Sequence, residues 1–419
     1  MALGRKEAAE TSSVLSGFGR HGRHASRASQ SVSRFLIFLF ALSFALLVKP
    51  DVPNTLEQFG LTQGLPRIAW NVAVVMISVA MLVPYVLRVR IDLFGGFSIL
   101  LAGLILVSTV CNGQQLDYWA VYILPCAAVS MLVVALSVNY SRELLWGMLC
   151  ASLFYLIGNL VFIALDFAMG EVGVQNYMFY GYRNNTFQIA LPAFASSLLL
   201  DAGNGKKWSA RTGLIFAAAL FEVLVGYSAT SAFALIVTGC VSPLILCTPV
   251  KKWLNGLTML VGYLVGFVGV VLLRLQQAGS FFFEGILGRD ITFTGRTMIW
   301  DKALESLGGV HLLVGRGTAY ALKVGDTPYY AHNDFLHVTL MGGLGALVAQ
   351  LALLGLTFRR LFVCGDELLS ACYVLSLLPF LIIALTESVF CPGFYFLLSM
   401  AYSQVGKAGF TPSRPVHSS

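Results

Sequence analysis

Residues 92–140 read DLFGGFSILLAGLILVSTVCNGQQLDYWAVYILPCAAVSMLVVALSVNY. No charged side chain occurs between Asp92 and Asp117, and none between Asp117 and Arg142. A helix needs about 20 mostly apolar residues to cross the hydrocarbon core of a bilayer. The stretch therefore predicts two spans, roughly 92–110 and 118–138, joined by a polar link around Asn112, Gln114 and Gln115.

The same pattern extends in both directions. Further apolar runs lie at roughly 34–49, 68–87, 144–167, 187–200, 212–227, 229–248, 254–274, 333–357, 368–386 and 393–406, about twelve spans in all. The first, sixth, seventh and last are short, so their ends are soft and two could be re-entrant or broken. Composition agrees: 57% of the 419 residues are hydrophobic and 11% charged, with a mean hydropathy of +0.79. Soluble domains run about 45–50% apolar and about 25% charged. A soluble globular enzyme and a disordered chain are thereby excluded. So is an outer-membrane barrel, whose strands alternate polar and apolar. The expected fold is an all-α polytopic transmembrane bundle of about 12 spans with a long, partly helical outer loop between spans 9 and 10.

Charge gives the orientation. With the N-terminus inside, 18 of the 27 basic residues fall on the cytoplasmic side and nine outside, six of those nine in one long loop. Long loops are largely exempt from the positive-inside rule, so twelve spans with both termini cytoplasmic are self-consistent. The net charge of +7 then reflects membrane orientation, and no nucleic-acid partner is expected. Residues 1–33 are polar and read as a disordered cytoplasmic tail; no signal-peptide cleavage site follows the first apolar run. The remaining organisation is spans 1–9 over 34–273, an outer loop over 274–332, spans 10–12 over 333–406 and a cytoplasmic tail over 407–419. Eight cysteines are scattered without a CxxC pair, so neither a metal nor a redox site is expected.

The loop 274–332 is far longer than an ordinary connection, and such loops are usually functional. It contains a helix-like run from Arg296 to Leu307 with apolar positions at Met298, Ile299, Trp300, Ala303, Leu304 and Leu307. Arg296 follows Gly295 at the start of that helix, where a guanidinium and free backbone N–H groups suit an anion. Val314-Gly315-Arg316-Gly317-Thr318 lacks the context of a phosphate-binding loop and reads as a turn returning the chain to the bundle. Ala331-His332-Asn333-Asp334 stands where the chain re-enters the membrane. His332 can take a proton near neutral pH, while Asn333 and Asp334 can orient it or cap the next helix. His337 is off the i+4 spacing needed for a metal pair. Among acidic residues in apolar surroundings, Glu222 is the intramembrane candidate; it could neutralise an arginine or carry protons. Asp166 and Glu387 read as interfacial.

In order and spacing these motifs resemble the superfamily of O-antigen ligases and O-antigen or exopolysaccharide polymerases. The resemblance rests on Gly295-Arg296 with Trp300, Gly315-Arg316-Gly317, and Ala331-His332-Asn333-Asp334-Phe335-Leu336 with Gly342 and Gly345 behind it. It also draws on Tyr182-Arg183-Asn184-Asn185-Thr186 before a middle helix. Together these cover about residues 180–346. The resemblance implies glycosyl transfer outside the cytoplasmic (inner) membrane without metal or cofactor. The donor is a glycan on undecaprenyl pyrophosphate. The acceptor is a glycan hydroxyl, on a second lipid-linked repeat unit for a polymerase or on lipid A-core for a ligase. It implies His332 and Arg296 as catalytic, and Arg183, Arg289, Arg316, Trp300, Asn333 and Asp334 as contacts to pyrophosphate or glycan. A flippase and a chain-length regulator are implied as neighbours in the bilayer. One departure stands out: where many relatives carry Ser-Arg, this chain reads Ser228-Ala229-Thr230-Ser231-Ala232. The missing arginine and the His-Asn-Asp triplet favour a polymerase over a ligase. A transporter of polysaccharide or a small solute is the reading of another class, suited by the span count and Glu222. Against it, no symmetry relates the two halves.

Overall fold

The computed structural model describes residues 30–48, 65–87, 92–168, 179–247, 252–275, 295–364 and 368–405. Helix dominates them. In chain order they form α1 (Gln30–Leu47), α2 (Leu65–Leu87), α3 (Leu93–Cys111), a π-helical turn (Trp119–Ile123) running into α4 (Leu124–Ala168), α5 (Phe187–Gly203), α6 (Ala210–Val225) and α7 (Ala229–Cys247). Next come α8 (Gly256–Phe267), extended by a second π turn (Val268–Leu272), then α9 (Arg296–Ser306) and α10 (His311–Val314). A small hairpin, β1 (Leu322–Val324) and β2 (Thr327–Tyr329), precedes α11 (Asp334–Val363), α12 (Leu368–Ala384) and α13 (Pro392–Gln404). The strands pair antiparallel with Leu322 opposite Tyr329 and Val324 opposite Thr327.

Six helices among the described residues are long and apolar enough to cross a membrane. One of them takes in two of the expected spans. The runs expected as separate spans at 118–138 and 144–167 belong to one helical stretch, Trp119–Leu165. At 47 residues and 1.5 Å per residue it is about 70 Å long, far more than one crossing requires. The interruption is local: Tyr140 leaves helical geometry at φ −131° and ψ 28°. The kink falls in Asn139-Tyr140-Ser141-Arg142-Glu143, the polar interval that separates the two apolar runs in the sequence.

The main core gathers apolar faces of α1 to α8 and α11 to α13 and is rich in aromatics, with Phe44 edge-on to Phe396 and Phe187 edge-on to Phe380. A second, smaller core lies under the loop ahead of α11. Ile299, Trp300, Ala303 and Leu307 of α9 and its end pack with Leu322 of β1, Ala331, and Leu336 and Leu340 of α11. The loop is thus a packed cap with its own interior.

The cap is stitched to the bundle at a break in α11. Gly343 stands at φ 71°, and a Cβ there would lie 2.0 Å from the Leu313 carbonyl oxygen. Only glycine meets both conditions. A helix broken here cannot use every carbonyl of the preceding turn, and the Arg316 N–H donates to the Leu340 carbonyl at 2.6 Å. The end of α3 holds the same turn from the other side. Ser108 Oγ accepts from the Gly317 N–H at 3.0 Å, and Gln114 reaches both the Arg316 carbonyl (2.7 Å) and the Ala319 N–H (2.8 Å). Val314–Thr318 is therefore a turn, and its function is anchorage.

Candidate active site

Three elements bring the site together. Arg296 is the first residue of α9, whose N-cap Gly295 supplies no side chain to cap it. His332 ends the segment between β2 and α11. Glu387 lies just past α12, its N–H bonded to the Ile383 carbonyl at 2.8 Å. One Glu387 oxygen accepts from Arg296 Nη2, and the other lies 2.7 Å from His332 Nδ1. All three side chains are partly exposed, at 17%, 28% and 16%, so the cluster is reachable from outside.

Several groups fix His332. Its backbone stands at φ 47°, a left-handed conformation that is uncommon for a residue with a Cβ and costs on the order of 1–3 kcal/mol. Such strain persists only where surroundings impose it. Here Trp300 Nε1 donates to the His332 carbonyl at 3.1 Å, and Glu387 holds the ring. On the other side Asn333 caps α11, accepting from the Leu336 N–H at 3.0 Å and donating to the carbonyls of Leu385 (3.1 Å) and Ala384 (3.3 Å). Asp334 accepts from the Val389 N–H at 3.0 Å. These two side chains tie the start of α11 to the 384–389 segment, which sets the separation between His332 and Glu387.

Electrostatics define the resting state. Burial alone would push the Glu387 carboxyl up, but the hydrogen bond and charge of His332 and the charge of Arg296 outweigh it and hold the group below its ordinary 4.5. Glu387 is therefore a carboxylate at neutral pH and can only accept hydrogen bonds. The proton between it and His332 sits on Nδ1, so Nε2 is the ring nitrogen that Glu387 leaves uncovered. This is the arrangement in which a carboxylate orients an imidazole base and stabilises the imidazolium it becomes.

The other sequence candidates occupy different places. Trp300 is fully buried and Asn333 and Asp334 nearly so; their polar atoms are bonded within the protein, so they position the site from beneath. Arg316 is spent locally, with Nε donating to the Ser306 carbonyl at 2.9 Å and its guanidinium over the Tyr320 ring at 5.1 Å. Arg183 lies in a short 3-10 turn, Arg183–Asn185, with Nε and Nη1 buried and bonded to nothing among the described residues. Arg289 lies outside the described residues. Glu222 is buried on α6, accepts from Asn159 Nδ2, and Asn159 in turn accepts from the Tyr180 N–H at 2.7 Å. It supports the segment that carries Arg183, and no cation among the described residues pairs with it.

Sequence reasoning missed Glu387, which it placed at the interface as an ordinary boundary acid. It also passed over Arg274, which lies 5.3 Å over the Trp300 ring, donates to the Thr297 carbonyl at 3.2 Å and pairs with Asp301. The stretch lacking the family's arginine does reach this region, since Thr386 Oγ1 donates to Thr230 Oγ1 at 3.2 Å, one residue before Glu387. Among the described residues no cluster of His, Cys, Asp and Glu could hold a metal ion. Away from the site, an apolar groove of about 510 Å³ opens among α2, α3 and the start of α4, lined by Leu82, Tyr85, Ile99, Trp119 and Met131 among others. No family model, curated protein or solved structure matches the chain.

Proposed function

We propose that this chain is a membrane glycosyltransferase of the O-antigen ligase and polymerase type. In this reading it moves a glycan from undecaprenyl pyrophosphate to a sugar hydroxyl at the outer face of the cytoplasmic membrane. The observation that carries it is the meeting of Arg296 and His332 on the two oxygens of Glu387. His332 Nε2 takes the proton of the acceptor hydroxyl as its oxygen attacks the anomeric carbon. The bond from that carbon to the pyrophosphate oxygen breaks, and undecaprenyl pyrophosphate leaves. Arg296 has donors beyond the one given to Glu387, and these meet the charge growing on the leaving group. The Arg183 N–H groups without partners among the described residues supply a second cation for the pyrophosphate.

A twelve-span topology with both termini cytoplasmic belongs to the same proposal. It is supported by helices standing at each apolar run of the described residues. Cap and site then lie outside. The carrier's polyprenyl tail is assigned to the apolar groove among α2, α3 and α4, whose lining has the chemistry of a lipid chain. Within the family a repeat-unit polymerase is preferred, because the stretch Ser228–Ala232, whose Thr230 bonds Thr386, lacks the arginine of the Ser-Arg pair.

The test is turnover. Purified full-length protein in nanodiscs, given the host's undecaprenyl-pyrophosphate oligosaccharide, is expected to release undecaprenyl pyrophosphate and lengthen the glycan. Arg296→Ala and His332→Ala should abolish both. Full activity in both variants would overturn the assignment, and transfer only to added lipid A-core would make the protein a ligase.

A further inference from the structure

A row of aromatic rings runs from His337 through Tyr330 and Tyr118 to Tyr122, and the chemistry above makes no use of it. Tyr329 lies 6.4 Å from His332 between ring centroids. Its neighbour Tyr330 stands perpendicular to His337 at 6.0 Å and lies 6.4 Å from Tyr118, its ring tilted by 31°. Tyr118 in turn lies 4.3 Å from Tyr122. Two parts of the fold build this row: the segment after β2 brings Tyr330, and the π-helical turn Trp119–Ile123, with Tyr118 as its N-cap, brings the other two. Such turns are rare and occur mostly at functional sites. Tyr330 and Tyr122 are 50% and 38% exposed, so the row is accessible at both ends.

The spacing matches a sugar chain. Two residues of extended backbone span at most about 7 Å, close to the size of one pyranose ring, and Tyr330 is two residues from His332. A glycan whose hydroxyl meets His332 Nε2 would thus have its adjoining ring near Tyr330. The electron-rich face of a tyrosine attracts the positively polarised C–H groups on the flat face of a pyranose, and its hydroxyl can bond to the sugar's rim. We infer that Tyr330, Tyr118 and Tyr122 form a sugar-stacking subsite that holds the glycan ring next to the reacting one. The inference rests on the glycosyl-transfer reading and names the part of the substrate that reading leaves unplaced.

The probe is the repeat-unit oligosaccharide released from the host's lipid carrier by mild acid, free of lipid and pyrophosphate. It is titrated against full-length protein in nanodiscs. Wild type is expected to bind it, with saturation transfer from aromatic protons to sugar C–H protons. Tyr330→Ala and Tyr122→Ala should each weaken Kd about tenfold. Tyr330→Leu and Tyr122→Leu keep apolar bulk without the ring and should lose as much. The phenylalanine variants keep the ring face and should stay within about threefold. In turnover the losses appear in KM with kcat retained. A rise in the acceptor's KM places the acceptor glycan on the row, and a rise in the donor's KM places the donor glycan there. No binding by wild type, or equal binding by the alanine and leucine variants, overturns the subsite and leaves the rings as interfacial anchors. Oligosaccharide binding through the tyrosines in a protein that transfers no sugar would leave the subsite standing and remove the transferase reading.

Discussion

Glu387→Gln is the most discriminating substitution, because it keeps the shape of the side chain and removes its charge. Glu387 accepts from both Arg296 and His332 Nδ1, whereas an amide has one oxygen and one NH₂ group. One partner must therefore face a donor. If that partner is His332, the ring turns to the tautomer with its proton on Nε2, and the base is lost. If it is Arg296, the cation at the leaving group is displaced. Even with geometry kept, the imidazolium formed during transfer loses its counter-charge. Both side chains are partly exposed, at 28% and 16%, so an effective dielectric of about 20 is appropriate. Two unit charges about 4 Å apart then interact by roughly 4 kcal/mol, or about a thousandfold in kcat. Glu387→Asp retains the charge one methylene short and should fall between. The assay is glycan lengthening from the lipid-linked donor, with His332→Ala and the double variant alongside. Residues acting as one unit are non-additive, so the double variant should be no slower than His332→Ala. A folded Glu387→Gln protein turning over within threefold of wild type would refute the coupling of base and carboxylate.

Other expectations follow from the same geometry. A carboxylate held below its ordinary value contributes stability that is present above 4.5 and lost as pH falls through its lower folded value. The difference in melting temperature between wild type and Glu387→Gln should be constant from neutral pH down to about 5 and close below that. Gly343→Ala forces a Cβ against the Leu313 carbonyl at a positive φ, and thermal melts in detergent should show a loss of at least about 2 kcal/mol. Arg183→Ala removes a guanidinium with two nitrogens unbonded among the described residues. Melts should change by less than about 0.5 kcal/mol, while the donor's KM rises. Trp300→Phe deletes the bond to the His332 carbonyl, and its cost in the same melts should be about 1 kcal/mol.

Hydropathy carries the helical character of this fold because the bilayer imposes a length and a composition on each crossing helix. It also carries the Tyr140 break, which falls in the polar interval 139–143 between two apolar runs, but not the helical continuity across that break. The site was legible where the residue type itself has chemistry: Arg296 and His332 stood out as a cation and a base in a long outer loop. Glu387 was not legible. Its sequence neighbours, Thr386 and Ser388, make it look like an ordinary helix-end acid, and only the docking of α11 beside 384–389, through Asn333 and Asp334, brings it to His332. Trp300, Asn333 and Asp334 were legible as important, but their burial shows that they act on the protein's own backbone. Arg316 was legible in part: its stretch between two glycines reads as a turn and is one, while its side chain, implied by the resemblance as a pyrophosphate contact, is bonded to the Ser306 carbonyl and its backbone N–H to Leu340.

The seam between the cap and the broken helix α11 also bears on how the chain is made. Ser108, Thr109 and Gln114 emerge early in synthesis, and their partners in Gly315–Ala319 follow about 200 residues later. The equilibrium cost of closing so long a loop grows only with the logarithm of its length, but contacts this distant in sequence form slowly. A nascent chain stopped before Gly315 has no cap turn for α3 to hold, no start of α11 and no Glu387. Most of the helices are thus made before the Arg296–Glu387–His332 cluster can form, so an incompletely synthesised copy lacks it.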